Sequence, residues 1–412
     1  MNHSFELPSS YKKWTIGLIV VGIIALLYGL IAFHPFTPSV NGDHTDSTRF
    51  WAVLVQNSVF WLLIVNASMF FICFTTLAMG GWQVAFRRVP EAISSVVPVL
   101  GLICFVVLIG IVLGGRGDIY PWADKTIVAS DSIIKGKSGF LNPTFFTLFS
   151  AGTILAWWLL GRKMRSLSLD SDKEGHMDYE TAKSWMSKNI TIAAVYTVIF
   201  GLTVGSTIPW LWLMSIDVHW YSTMFSWYTF ASSFVSGLSL IAIFVVYLKN
   251  QGQLEYVTDE HLHDLGKFMF AFSIFWAYLW FDQYMLIWYA NIPEETTYFK
   301  IRVEGPFRGI FFINFIINFI CPLLILMKKA TKRNWTLMTF MAALIIFGHW
   351  LDFWQMVMPG TLKDHAELMP FEFGIGALFV GIIMWRVGVY LSSNPLTAKN
   401  HPFLKESMIH HT

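Results

Sequence analysis

Charged residues are scarce in this sequence of 412 residues. Asp, Glu, Lys and Arg together make up 13% of it, whereas hydrophobic residues make up 55%. Soluble domains carry about 25% charged residues, so this composition excludes an ordinary soluble fold. It predicts an integral membrane protein that crosses the bilayer many times.

Cysteine is also rare, and its three copies lie far apart in apolar runs, at Cys73, Cys104 and Cys321. The sequence has no C-x-x-C motif, which excludes an iron–sulfur ligand set and covalent haem attachment within this chain. Only His349 lies well inside an apolar run, which argues against a haem held by two histidines. We therefore expect no redox cofactor, no metal and no catalytic residue here.

Ten apolar segments are long enough to cross the hydrocarbon core, which takes about 20 residues of α-helix. We predict an all-α integral membrane protein with ten transmembrane helices in a single domain over residues 1–412. The predicted helices are Trp14–Phe33, Phe50–Met79, Ile93–Leu113, Pro143–Gly161, Ile190–Met214, Tyr221–Leu248, Lys267–Tyr289, Gly309–Met327, Trp335–Val357 and Phe371–Tyr390.

Lys and Arg are concentrated on one side of these helices. They cluster at both ends of the chain and in the even-numbered connections, as with Arg87, Arg88 and Arg162. Because positive residues favour the cytoplasmic side, both termini are predicted to be cytoplasmic. Residues 391–412, after the tenth helix, are predicted to form a disordered cytoplasmic tail.

Polar side chains that interrupt or border the apolar runs are the candidates for function. A charged group in the bilayer core costs about 2.5–3.5 kcal/mol on insertion scales, so it needs a partner, water or a role in moving protons. The rise of the helix puts Asp282 roughly 10 Å and His349 roughly 12 Å below the outer helix ends. Asp352 follows His349 by one turn and shares its helix face. The candidate proton-path residues are Asp217, His219, Asp282, His349, Asp352 and Glu372.

Each of these groups also has a structural interpretation. Asp282 could form a hydrogen bond to a neighbouring helix, and His349 and Asp352 could form a local pair on one helix face. The turn with Asp217 and His219 could simply be a solvent-exposed loop. Amide side chains form further polar faces, and such groups commonly tie membrane helices together. These amides are Asn314 and Asn318 on the eighth predicted helix, and Asn57 and Asn66 on the second.

Two long stretches are distinctive beyond their composition: DVHWYSTMFSWYTF at residues 217–230 and LGKFMFAFSIFWAYLWFDQYMLIWYANIPEET at residues 265–296. They resemble the ActF-type family, the second NrfD/PsrC-like integral membrane subunit of bacterial alternative complex III, and the resemblance covers essentially the whole chain. It implies two four-helix bundles, helices 2–5 and 6–9, flanked by helices 1 and 10. The polar motif positions of the family correspond to Asp217, His219 and Asp282.

The resemblance also implies a setting. Such a complex is a quinol:cytochrome c oxidoreductase of the bacterial cytoplasmic (inner) membrane, and it oxidises menaquinol or another quinol. Haems c and iron–sulfur clusters are expected in other subunits, not in this chain. The implied partners are the paralogous NrfD-like subunit, an iron–sulfur subunit, multihaem and monohaem cytochrome c subunits, and lipids, with a terminal oxidase left open.

Three functions remain open on the sequence. The first is a subunit without redox cofactors that supports the complex and provides an outer proton half-channel through Asp282, His349 and Asp352. The second is a quinol site in its own right, in which His349 or His219 accepts a proton between Trp and Phe walls. The third is a stand-alone proton-coupled transporter, for which broken helices would be expected.

Overall fold

The computed structural model describes residues 5–36, 45–173, 177–365 and 367–411. Within these ranges the regular structure is helical, without β-strands. Nine helical stretches of the described chain are long and apolar enough to cross a membrane. The protein is therefore a helical membrane protein with several spans.

The helices follow the predicted apolar segments and often extend past their ends. They are α1 (Ser9–Ala32), α2 (Thr45–Leu77), α3 (Arg88–Ser94), α4 (Val97–Leu113), α5 (Lys125–Ser130), α6 (Ser132–Gly136), α7 (Pro143–Lys173), α8 (Tyr179–Leu202), α9 (Ile208–Trp212), α10 (Met224–Asn250), α11 (Asp259–Ala290), α12 (Pro293–Glu304), α13 (Arg308–Phe315), α14 (Cys321–Leu326), α15 (Lys329–Lys332), α16 (Trp335–Leu362), α17 (Pro370–Ser393) and α18 (Leu404–Met408).

Helices α2 and α10 form the centre of the molecule, and 89% of the apolar window of each is buried. Helix α2 packs against α4, α8, α10 and α16, and α10 packs also against α11 and α16. Contacts of α7 with α4 and α8, of α11 with α14 and of α13 with α16 close the sides. Helix α1 packs mainly along α17 at the edge, so most of its surface is left for lipid.

Helix α11 is the predicted seventh span, but it is not among the nine stretches that are apolar enough by composition. It has 32 residues, and a capping box between Thr258 and His261 marks its beginning. Polar residues fill its first two turns, and Trp and Tyr, which score low on hydropathy, fill much of the remainder. The predicted count of ten spans therefore depends on this aromatic helix.

Two prolines inside apolar helical stretches are accommodated by π-helical turns. The turns at Thr203–Thr207 and Ile316–Ile320 each end two residues before a proline, Pro209 and Pro322 respectively. Proline lacks an N–H and its ring collides with the carbonyl four residues back. A wider turn relieves this clash, and π-bulges frequently occur at functional sites. Both helices thus continue past the proline.

Arg87 and Arg88 were counted above as charges of a connecting loop, but each is only 1% exposed. Both bond the buried Glu91: Arg87 Nε lies 3.0 Å from Oε1, and Arg88 Nη1 lies 2.6 Å from Oε2. Arg88 also bonds Asp172 and Ser168 of α7. Ser168 and Asp172 lie after Gly161, where the apolar run ends. Their bonds to Arg88 hold the polar continuation of α7, so the helix ends at Lys173 instead of the predicted Gly161.

The prediction of a disordered tail was wrong for its described residues, 391–411. Ser407 donates to Trp82 O at 2.6 Å and accepts from Ala85 N at 3.0 Å. His410 Nε2 lies 2.7 Å from Asp264 Oδ2. The two bonds of Ser407 satisfy backbone groups of the short turn at Trp82–Phe86, and that of His410 reaches α11. The composition of the tail gives no sign of such specific partners. Thr412 lies outside the described residues.

We expect the docking of this tail to weaken in acid because of His401. This imidazole accepts from Phe403 N at 3.1 Å. Burial, reinforced by the nearby Arg87 and Arg88 guanidinium groups, holds its pKa well below the ordinary 6.5. A histidine with a depressed pKa stabilises the docked state above pH 6.5, and this contribution falls by up to about 1.4 kcal/mol per pH unit below it.

Hydrogen exchange of residues 395–411 between pH 7.5 and 5 measures this effect. The protection factor of the wild-type tail, which is the intrinsic exchange rate at each pH divided by the observed rate, should fall in acid, and His401→Gln should remove most of this fall. His411→Gln, at an exposed position, is the matched control and should behave as the wild type. A protection factor of the tail that stays constant across this range would contradict the assignment.

Candidate functional site

Asp352 of α16 is fully buried and is the centre of a hydrogen-bond cluster between helices α10, α11, α13 and α16. Its Oδ1 accepts from the Tyr228 hydroxyl and from Asn314 Nδ2, the latter at 2.8 Å. Its Oδ2 accepts from Trp276 Nε1 at 2.9 Å and from Ser232 Oγ at 3.1 Å. A carboxylate has about four acceptor positions, so the described donors fill its capacity.

His349 joins this cluster through Ser232. Its Nδ1 lies 2.9 Å from Ser232 Oγ and 3.7 Å from Asp352 Oδ2. When Asp352 is ionised, the Ser232 hydroxyl donates its one hydrogen to it, and Nδ1 then carries a hydrogen and donates to Ser232. The Nε2 atom is buried and has no hydrogen-bond partner among the described residues. A proton arriving at Nε2 could therefore be passed on through Ser232 to Asp352.

Asn314 and Asn318, the predicted polar face of the eighth helix, both belong to this cluster. Asn318 Nδ2 donates to Asn314 Oδ1 at 2.5 Å, and Asn314 in turn donates to Asp352. Asn318 lies in the π-helical turn before Pro322. It packs directly over Gly348 of α16, where a Cβ atom would come 2.9 Å from Asn318 Cγ. A glycine at 348 thus permits the approach of the two helices.

A cavity of about 20 Å³ lies beside Asp352, which is room for about one water molecule. Arg302 of α12, which is 3% exposed, also lines this cavity. Its Nε and Nη2 donate to Gln355 O at 3.1 and 2.9 Å, and its Cζ lies 3.4 Å from the Tyr298 ring centroid. A buried cation and the carboxylate of Asp352 therefore line the same small cavity.

Asp282 of α11 is not part of the cluster. Trp276 and Gln283 of the same helix face inward, whereas Tyr278 and Phe281 are 59% and 55% exposed. Six residues separate Trp276 from Asp282, which is about 240° around a helix axis. Asp282 is half-buried and has no hydrogen bond or ion pair within the described chain. The direction of this side chain relative to the cluster could not be predicted from its position along the helix.

The other predicted carboxylates and imidazoles also lie apart from Asp352. His219 Nε2 pairs with Asp131 Oδ2 at 3.0 Å in the loop before α10, where the His219 side chain is 51% exposed. Asp217 begins the same turn. Glu372 Oε1 pairs with Arg49 Nη1 at 3.0 Å, and its Oε2 accepts from Met369 N. Glu372 is therefore a helix-capping and ion-pairing residue.

Asn57 and Asn66 connect helices elsewhere, as their structural interpretation predicts. Asn57 Oδ1 accepts from Trp350 Nε1 at 2.9 Å, which ties α2 to α16. Asn66 Oδ1 accepts from the Tyr196 hydroxyl at 2.6 Å, which ties α2 to α8. Asn57 and Asn66 therefore take no part in the Asp352 cluster. Ser232 and His349 are the groups beside Asp352 that are placed to exchange protons.

Several residues of the cluster were not singled out from the sequence, although α10 carried a signal. Hydroxyl residues recur along it at helical spacing, and all of them are buried. Arg302 gave no such signal, because the polar segment that contains it reads as an outer loop. The hydroxyl residues are Ser226, Thr229, Ser232, Ser233, Ser236 and Ser239.

Comparison with models of known protein families finds no match to this chain, and comparison with curated protein sequences finds no similar sequence. A relationship to ActF-type subunits thus stays a prediction from the two stretches quoted above.

Proposed function

We propose that this protein is a membrane subunit of a respiratory quinol-oxidising complex, and that it carries protons through Asp352, Ser232 and His349. The observation behind this proposal is the chain of hydrogen bonds from His349 Nδ1 through Ser232 to Asp352, inside an apolar span. Histidine gains and loses a proton near neutral pH, and a hydroxyl can pass one between two neighbours. The buried Nε2 without a partner is the natural point of proton entry.

The membership of a complex is proposed from the family resemblance. In that setting the haems c and iron–sulfur clusters of partner subunits perform the electron transfer, and menaquinol or another quinol is oxidised elsewhere. This chain then provides the scaffold and the proton path without a catalytic residue of its own. The paralogous NrfD-like subunit, the iron–sulfur subunit and the cytochrome c subunits are the expected partners.

The architecture that we propose has ten spans, with α11 as the seventh and both termini in the cytoplasm of a bacterium. The packing of α2, α4, α7 and α8 around one another supports one four-helix bundle. The packing of α10, α11, α13–α14 and α16 supports a second, which contains Asp352. The distribution of Lys and Arg supports the orientation.

A quinol site at His349 is less well supported than a proton path. The cavity beside the Asp352 cluster measures about 20 Å³, whereas sites for ligands of drug size measure about 300–1,000 Å³. Water fits this space and a quinol ring does not.

Reconstitution of the intact complex in vesicles tests the proposal. We expect Asp352→Asn and His349→Gln each to lower proton release during quinol oxidation by about 10²-fold or more, since a positioned proton carrier contributes at least that much. Asp282→Asn, which changes a half-buried carboxylate outside the cluster, is the matched control and should keep full release. Haem absorbance of the purified complex checks assembly. Undiminished proton release from an assembled Asp352→Asn complex would refute the path.

A further inference from the structure

An apolar groove of about 610 Å³ runs between α1, α2, α10, α16 and α17. It lies on the other side of α16 from the Asp352 cluster, and its volume is that of a ligand site. Aromatic and aliphatic side chains form nearly all of its wall. Prominent among them are Trp61, Phe244, Ile346, Phe347, Phe373 and Val380.

The groove has the length of a single leaflet. Its lining on α17 extends from Phe373 to Met384, and eleven residues at about 1.5 Å each span roughly 16 Å. Half of a hydrocarbon core that is about 30 Å thick is about 15 Å. An occupant that lies along the groove would therefore be about as long as one acyl chain.

Polar groups gather near the end of the groove where α1 begins. The Tyr11 hydroxyl is occupied, since it donates to Met384 O at 2.6 Å. The Tyr247 hydroxyl lines the same end, is buried, and has no partner in the described residues. The rings of Tyr11 and Tyr247 are 5.5 Å apart. An occupant with an oxygen acceptor at this end would satisfy Tyr247.

Positive charge lies beside the same end. Lys12 and Lys13 directly follow Tyr11 and are exposed. They belong to the first turns of α1, a helix of 24 residues whose beginning favours anions. Trp14 lines the groove and is 70% exposed, as expected of an aromatic residue at the membrane interface.

We propose that the groove is a binding site for an anionic phospholipid. One acyl chain lies between α10, α16 and α17, an ester carbonyl accepts from the Tyr247 hydroxyl, and the phosphate lies near Lys12 and Lys13. Along a phospholipid, the apolar acyl chain is followed by an ester carbonyl and then by the anionic phosphate. The apolar wall, Tyr247 and the two lysines follow one another in the same order along the groove. This site does not depend on the proton path.

Native mass spectrometry of the purified complex, delipidated and then exposed to phosphatidylglycerol, tests the site. We expect Ala343→Phe, which places a ring into the groove from an exposed position on its wall, to remove one bound lipid. Tyr247→Phe should weaken its binding about two- to tenfold, the effect of one hydrogen bond. Lys12→Gln with Lys13→Gln should weaken it further, whereas Lys163→Gln, exposed on α7, should have no effect.

Trp61 distinguishes a phospholipid from an occupant with an acceptor deep in the groove, such as an isoprenoid quinone. Its indole N–H is buried and has no acceptor among the described residues. Trp61→Phe should leave phosphatidylglycerol binding unchanged. If Trp61→Phe released the bound molecule while Tyr247→Phe did not, the occupant would carry its acceptor at depth, and the phospholipid proposal would be wrong. An unchanged lipid count in Ala343→Phe would also overturn it.

Discussion

Glu91→Gln should lower the free energy of unfolding by about 3–5 kcal/mol, the usual cost of removing one partner from a buried ion pair. Glu91 is the shared acceptor of two buried guanidinium groups. Without its charge, Arg88 retains Asp172, but the described contacts of Arg87 retain only the His401 ring. A guanidinium cannot give up its proton, so Arg87 would remain charged and uncompensated.

Denaturation in detergent, followed by tryptophan fluorescence, measures this cost. The control is Asp170→Asn, which makes the same chemical change in an exposed pair. Lys173 Nζ lies 3.0 Å from Asp170 Oδ1, and both side chains are more than half exposed. Exposed pairs contribute about 0–1 kcal/mol. Similar losses of unfolding free energy in the two variants would mean that the buried pairs of Glu91 stabilise the protein no more than an exposed pair does.

Gly348→Ala should destabilise the protein by about 1–3 kcal/mol through overpacking. The added methyl group would overlap Asn318 and Ile317 in the π-helical turn. Asn318 has little freedom to move away, since it donates to Asn314, which donates to Asp352. The variant should therefore separate α16 from the π-helical turn and α13, and should also impair proton release.

Gly201→Ala supplies the opposite expectation. Gly201 is also helical, in α8, but nothing lies within 4 Å of the position where its Cβ would be. Alanine loses less backbone entropy than glycine, so this variant should be stabilised by about 0.5–1 kcal/mol. If both variants were stabilised, the close contact at Gly348 would not restrict the size of the side chain at that position.

The apolar helices could be predicted well from the sequence, whereas the partners of their polar residues could not. A hydropathy run locates α2 or α10, because about 20 apolar residues are needed to cross a bilayer. It also placed His349 and Asp352 on one face, because their spacing is a single turn. The direction in which α11 turns Asp282 depends on the packing of its neighbours, which no run of residues on α11 encodes.

Contacts made outside the apolar runs could not be predicted from the sequence either. Arg302 comes from a short polar helix, and its burial follows only from the way α12 folds back over Gln355. Arg87 and Arg88 resemble ordinary loop charges until α7 and the tail are placed around them. In both cases the partners are remote in sequence, so local composition could not indicate them.

The docked tail has a consequence for how the protein is made. Ser407 and His410 bond the turn at Trp82–Phe86 and Asp264 of α11, which leave the ribosome long before them. The end of the membrane domain near these residues therefore stays open throughout synthesis and closes only after α17 has been inserted. Chaperones or partner chains have access to Arg87 and Asp264 during that interval, and a bulky fusion attached to the tail would prolong it.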